Sequence, residues 1–260
     1  MTTISTSRTI LVTRQLLGDL RTFVLWWLAL VTIGLAAVGA GAFLLHLPGF
    51  AQYRFFDSVE ASIWDVAPIG LRYLLFIMGL VIAAAMLPHY VGHGVTRRRF
   101  VIGELVAGIA VAVGVAAFLT VGYLIEAGVY AVAGMPQTLT FAHMFSQSAA
   151  DRVAPGELFL LFIEFVLVFI AHYVTALLLV NGFQRFGCRA GSLFMVVALA
   201  PVLVTGMVLG ADWLGIAVNA WFGLQPPSPV IGSVLALVAI TAGMVVHHRL
   251  TRAMDLDPPG

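Results

Sequence analysis

Apolar residues in this chain do not alternate with polar ones. They gather into six blocks, Phe23–Leu45, Ile69–Leu87, Phe100–Ala133, Leu158–Val180, Leu193–Leu209 and Val230–His247. A helix needs roughly 20 apolar residues to cross a hydrocarbon core about 30 Å thick, so each block predicts one membrane span. The third block is too long for a straight span, so it is expected to project from the membrane or to tilt strongly. The segment before the first block, Ser7 to Phe23, reads differently. On a helical wheel Ile10, Val12, Thr13, Leu16, Leu17 and Leu20 share one arc. Arg8, Arg14, Gln15, Gly18, Asp19 and Arg21 share the other, with Leu11 the exception. This pattern predicts a basic amphipathic helix over residues 7–22, lying in the plane of the inner leaflet. A cytoplasmic extension of the first span is the alternative.

Composition makes lipid the solvent. The 260 residues are 61% hydrophobic and 10% charged, with a mean hydropathy of +1.04. Soluble domains carry about 45–50% apolar and about 25% charged residues, and a water-soluble fold of this length could not hide so much apolar surface. The expected fold is therefore an all-α membrane protein. It has one transmembrane domain over residues 1–260: an interfacial helix at 7–22, a six-span bundle at 23–249 and a short tail at 250–260. The "GAGA" at Gly39–Ala42 could pass as a signal-peptide cleavage site, but the apolar run before it exceeds a signal core of 7–15 residues.

Charge placement orients the bundle. With six spans both termini fall on one side. That side holds ten of the 13 basic residues: Arg8, Arg14, Arg21, Arg97, Arg98, Arg99, Arg185, Arg189, Arg249 and Arg252. Arg54, Arg72 and Arg152 fall on the other side with the acids Asp57, Glu60, Asp65, Asp151, Glu157 and Asp212. The positive-inside rule then predicts cytoplasmic termini and a cytoplasmic loop at Arg97. The net charge of +1 gives no sign of a nucleic-acid partner, and none is expected. The single cysteine, Cys188, excludes an internal disulfide and a cysteine-based metal cage.

Motifs for chemistry are scarce. The chain has no lysine, so it has no phosphate-binding loop of its own. It has no His-Glu-x-x-His and no Gly-x-Ser-x-Gly. His89 and His93 have the spacing of a helical metal pair, but Gly92 weakens that helix and no third ligand is obvious. They read, like His247 and His248, as interfacial histidines, and no catalytic residue or metal site is expected. Glu104 and Glu126 are 22 residues apart, roughly 33 Å along a helix, so both can sit near opposite interfaces. Glu164 falls inside the outer half of the fourth span, where a carboxylate costs on the order of 2.5–3.5 kcal/mol unless it faces protein or water. It is a candidate for lining a cavity or a helix interface, with His172 on a neighbouring face. Gly206 with Gly210, and Gly232 with Ala236, are small-residue pairs suited to packing within the chain. Between the last two spans, Ala211 to Val230 is apolar for an exposed loop. Trp213, Trp221 and Phe222 suit a headgroup zone, and Pro226, Pro227 and Pro229 stop any helix, which fits a short re-entrant hairpin.

The layout resembles the membrane subunits of type-2 ABC exporters, in which the ATPase is a separate chain. It shares a basic in-plane helix, six spans, cytoplasmic ends, a short basic loop between spans two and three and a re-entrant last outer loop. The stretch "GHGVTRRRF", Gly92 to Phe100, looks like a bacterial pattern of a glycine followed by Val-Thr-Arg-Arg and an aromatic. The layout covers nearly the whole chain, the motif nine residues. The missing lysine departs from the pattern and reads as drift in an arginine-rich genome. The resemblance implies that Gly94, Val95, Thr96, Arg97, Arg98, Arg99 and Phe100 form or flank a short coupling helix seated in a groove of the ATPase. Thr96 would cap it, the arginines would fork onto carboxylates and Phe100 would anchor it. Arg185 and Arg189 in the second inner loop, Asn181–Gly191, offer a further contact. ATP and Mg would sit on the partner ATPase, with no cofactor on this chain. The implied partners are that ATPase and a second membrane subunit, identical or related, in a bacterial plasma membrane. The expected function is ATP-driven export of an amphipathic or lipid-like cargo. The alternatives are an ATP-independent secondary carrier, an integral-membrane enzyme and a non-transporting regulatory subunit. Arginines that fix topology and touch anionic lipid are the simpler account of the loop.

Overall fold

In the computed structural model the described residues are 3–45, 64, 67–133, 155–210, 212–213, 216–217, 223 and 227–253. Arg54, Asp57, Glu60, Asp65, Asp151, Arg152, Trp221, Phe222 and Pro226 lie outside them, as do the side chains of Arg8, Glu157 and Gly39–Ala42.

The described chain is almost entirely helical. In order it forms α1 (Thr3–Leu45), α2 (Ala67–Val81), a π-helical turn (Ile82–Met86), α3 (Leu87–Gly92), α4 (Arg97–Ala133), α5 (Pro155–Ala198) and α6 (Ala200–Leu209), then β1 (Asp212–Trp213), β2 (Ile216–Ala217) and α7 (Pro229–Arg252). Among the described residues five helical stretches are long and apolar enough to cross a membrane. Large apolar side chains stay exposed along them: Leu25, Trp26 and Leu30 on α1, Val106, Val121 and Ile125 on α4, and Val230, Val234 and Val238 on α7. Soluble monomers rarely expose apolar patches beyond a few hundred Å², so this surface suits acyl chains.

The expected blocks map onto these helices with three differences. First, α1 is one helix with no break between residues 22 and 23. Its apolar arc is spent on protein: Val12, Leu16 and Leu20 are buried, and Val12 packs on Gly103 of α4. Second, α4 runs for 37 residues, about 55 Å at 1.5 Å per residue, longer than the hydrocarbon core, as its block predicts. Third, no extended loop divides the fourth and fifth blocks. Helix continues to Gly187, whose φ of 69° and ψ of −178° are open essentially to glycine alone. There the chain doubles back. The Phe186 and Phe194 rings lie 5.4 Å apart, although eight residues of straight helix would separate them by about 12 Å. Gly182 faces the Phe194 ring and Gly191 faces Phe183 across the reversal, where added methyl groups would collide.

The core forms between these two arms and their neighbours. Gly243 of α7 lies against Val174 and Leu178 on the first arm and against Pro201 of α6. Tyr173 is clamped between Gly79 of α2, where a Cβ would meet the Tyr173 carbonyl and the Ala176 methyl, and Gly108 of α4, where a Cβ would strike its ring. The small-residue pairs serve packing within the chain: Gly206, Gly232 and Ala236 are buried, and Gly210 ends α6 at φ 65°. The predicted hairpin region begins with a two-residue antiparallel ladder, Asp212 opposite Ala217 and Trp213 opposite Ile216. It is the one departure from helix-only structure among the described residues.

Candidate functional site

The arginine loop is shorter and more regular than expected. α3 closes with a Schellman arrangement: Gly94 N donates to Val91 O (2.9 Å) and Val95 N to Tyr90 O (3.1 Å). Gly94 takes the left-handed φ of 83° that this requires. Thr96 holds the N-cap position, its carbonyl accepting from Arg99 N (2.9 Å) and Phe100 N (3.0 Å). Arg97, Arg98 and Arg99 are therefore the first turn of α4 rather than a separate short helix. Arg98 is exposed and its two neighbours are half-buried. Phe100 is fully buried against the Tyr90 ring at 5.4 Å. Its apolar area is spent inside the chain, so it is not the partner anchor that the resemblance implies.

A helix N-terminus carries a partial positive charge and favours acids, so three arginines there work against the helix. They belong to a wider basic end. Arg185, at the α5 reversal, donates to the carbonyl of Ala253. Gln184 Nε2 reaches Ala83 O in the π-helical turn at 3.5 Å. His248 on α7 lies within electrostatic range of Arg98 and Arg252. On α1, Thr13 Oγ1 approaches Gly103 O at 3.5 Å, and Asp19 accepts from the Tyr90 hydroxyl at 2.8 Å. Arg14, Arg21, Arg185, Arg189, Arg249 and Arg252 are exposed around this end. Among the described residues Asp19 is the only exposed carboxylate there.

Directly behind the arginines lies a buried polar network that the residue pattern did not reveal. His247 Nε2 stands 2.5 Å from Glu104 Oε1, and Asn181 Nδ2 stands 2.6 Å from His247 Nδ1. The Asn181 amide also donates to Thr251 Oγ1 (2.9 Å), and that hydroxyl donates to the His247 carbonyl (2.9 Å). With Nδ1 facing an amide donor, the consistent tautomer accepts there and donates from Nε2 to Glu104. The Tyr173 hydroxyl adds a bond to Glu104 O at 2.9 Å. All of these side chains are at most 1% exposed. The network joins α4, the first arm of α5 and α7. Glu104 and His247 are thus bonded groups inside the bundle rather than side chains spread on an interface. The sequence held one usable signal, the i, i+4 spacing of His247 and Thr251 at the end of the last apolar block.

A second polar group lies farther along α5. Glu164 and His172 are both buried, as the fourth block predicts for Glu164. Arg72 of α2 is buried too and acts electrostatically on both. Charge counting assigned Arg72 to the outer side and did not anticipate its burial. His172 Nδ1 lies 2.7 Å from Val168 O on its own helix, and no hydrogen bond joins it to Glu164. One carboxylate oxygen of Glu164 has no hydrogen-bond partner among the described residues. The His89 and His93 rings lie with centroids 4.4 Å apart, tilted at 46° to each other. Among the described residues no three His, Cys, Asp or Glu side chains gather closely enough to hold a metal ion.

Comparison with known proteins returns no match: no family model, no curated protein and no solved structure aligns with this chain.

Proposed function

We propose that this chain is the membrane subunit of an ATP-driven transporter and that its basic end is the docking face for a separate ATPase. The observation behind the reading is the first turn of α4. Three arginines stand where the helix dipole disfavours them, on a face built from several helix ends with little opposing acid. A local rule broken without a local gain points to a partner that supplies the gain. Carboxylates on an ATPase would do so through forked, charge-assisted hydrogen bonds.

The rest of the reading follows from this face. Counting the two arms about Gly187 as separate crossings gives six spans, with both termini and the arginine end in the cytoplasm. The front half of α1 continues its apolar half without a break and meets α3 and α4 close to the arginine loop, which suits a cytoplasmic extension of the first span rather than a segment lying along the inner leaflet. The β1–β2 ladder would belong to a re-entrant outer hairpin. Two such subunits, or one with a related partner, would enclose the path in a bacterial plasma membrane. The apolar spans favour an amphipathic or lipid-like cargo. Affinity purification of the tagged chain from mild detergent tests the reading. An ATPase should co-purify and be lost when Arg97, Arg98 and Arg99 are all alanine in a folded, inserted variant. Absence of any ATPase with the unmodified chain would defeat it.

One observation favours a second reading, a secondary carrier. Arg72, Glu164 and His172 bury ionisable groups within the span region, as ion-coupled carriers do. Cargo movement by the purified chain alone in vesicles, driven by an ion gradient without ATP, would select it.

A further inference from the structure

We propose that the network of Glu104, His247, Asn181 and Thr251 is a latch that makes the arginine turn and the last helix a single moving body. The inference rests on the docking reading for the source of the motion, but the latch itself is a property of this chain. Glu104 lies two turns beyond Arg97 on the same unbroken helix. His247 and Thr251 lie in the last two turns of α7. The 2.5 Å contact from Glu104 to His247 and the bonds from Asn181 close between them with water excluded. In such surroundings an unmade bond strands a buried polar group, so the pair separates only at high cost.

α2 is built in the opposite way. Between its membrane segment and the arginine loop, the regular hydrogen-bond register gives way to the π-helical turn at Ile82–Met86. Pro88 then removes one more donor at the start of α3. Such turns are the weak points of long helices and recur at functional positions. A push on the arginines is therefore delivered through Glu104 to α7, while α2 yields at its π-helical turn.

The test uses the full chain in lipid nanodiscs, with Cys188→Ser as background. Spin labels are placed at Ile102 and Val245, which are partly exposed on α4 and α7. The unmodified network should give one narrow distance. Glu104→Ala and His247→Ala should lose it, whereas Glu104→Gln should retain it because the amide oxygen still accepts from His247. Thr251→Val, which keeps the Glu104 contact, guards against mistaking misfolding for release and should stay narrow. A narrow distance in both alanine variants, or a Gln variant as broad as the Ala variant, overturns the latch. With a co-purified ATPase present, ATP should shift a Val81–Ile102 pair and leave the Ile102–Val245 distance fixed. The reverse pattern overturns the force route. Failure to recover any ATPase would sink the docking reading, while the nanodisc variants would still decide the latch.

Discussion

At the arginine end, Glu104, His247, Asn181 and Thr251 from three helices are joined by side-chain bonds of 2.5 to 2.9 Å. Each region keeps one carboxylate oxygen unbonded among the described residues, Oε2 of Glu104 and of Glu164, but around Arg72, Glu164 and His172 the histidine bonds only its own helix. The difference lies in what each group can still do. A network whose donors are all used within the fold fixes helices in register and resists change. The second group adds no such tie through His172, whose bond stays within α5, so it leaves a less rigid joint that can respond to what enters beside it. The first region is built to hold and the second to respond.

The most severe way to break this contrast is Glu104→Ala. Removing Glu104 leaves the buried Nε2 donor of His247 without its acceptor, a loss of about 3 kcal/mol at the upper end for a stranded buried group. Unfolding in mixed micelles, followed by helix content, should show a loss of that order. Next comes the joint between the two regions. Tyr173 follows His172 and donates to the Glu104 carbonyl, and Gly108 gives its ring the space to do so. Gly108→Ala should cost about 2 kcal/mol by overpacking. Gly114→Ala on the same helix meets nothing within 4 Å and should be neutral or up to about 1 kcal/mol stabilising. Equal effects at the two glycines would remove Tyr173 from the account.

A finer discrimination comes from double-mutant cycles. Alanine at Glu104 and His247 should show a coupling of about 1 kcal/mol, within the range for hydrogen bonds between membrane helices. Alanine at Glu164 and His172, which share Arg72 but which no hydrogen bond joins, should show a weaker coupling of about 0.5 kcal/mol. Comparable coupling in both cycles would erase the distinction between the holding and the responding group.

What the residue pattern conveyed and what it hid follow the same division. Block lengths located every long helix, because crossing a fixed thickness is a local property of the sequence. Glu164 was legible as buried for the same reason, since a carboxylate deep in an apolar block must face protein. The Glu104–His247 contact spans 143 positions, and nothing local to either residue names the other. Each sits near a block's end, where an exposed position on the interface is the simpler expectation. The burial of Arg72 was hidden in the same way: the charge count considered only its side, and only the packing of α2 on α5 brings it within electrostatic reach of Glu164. The Gly187 reversal was also hidden. A glycine amid helix-compatible residues is ordinary, and only its backbone angles show that two helices meet there without a loop.

The smallest expected effect on stability is the most informative about function. Arg97, Arg98 and Arg99 occupy the first turn of α4, where no acidic residue offsets the helix dipole. Replacing all three by alanine removes that repulsion and adds strong helix formers, so the isolated chain should keep its stability or gain up to about 1 kcal/mol. The partly buried stems of Arg97 and Arg99 bound the gain, since their methylenes cover apolar surface that alanine would leave bare. The decisive result is the pairing of two measurements on one variant: unfolding in micelles unchanged or improved, and loss of the co-purifying ATPase that the docking proposal requires. A variant that is less stable by several kcal/mol would instead place the arginines in the architecture of the basic end, on the holding side of the comparison.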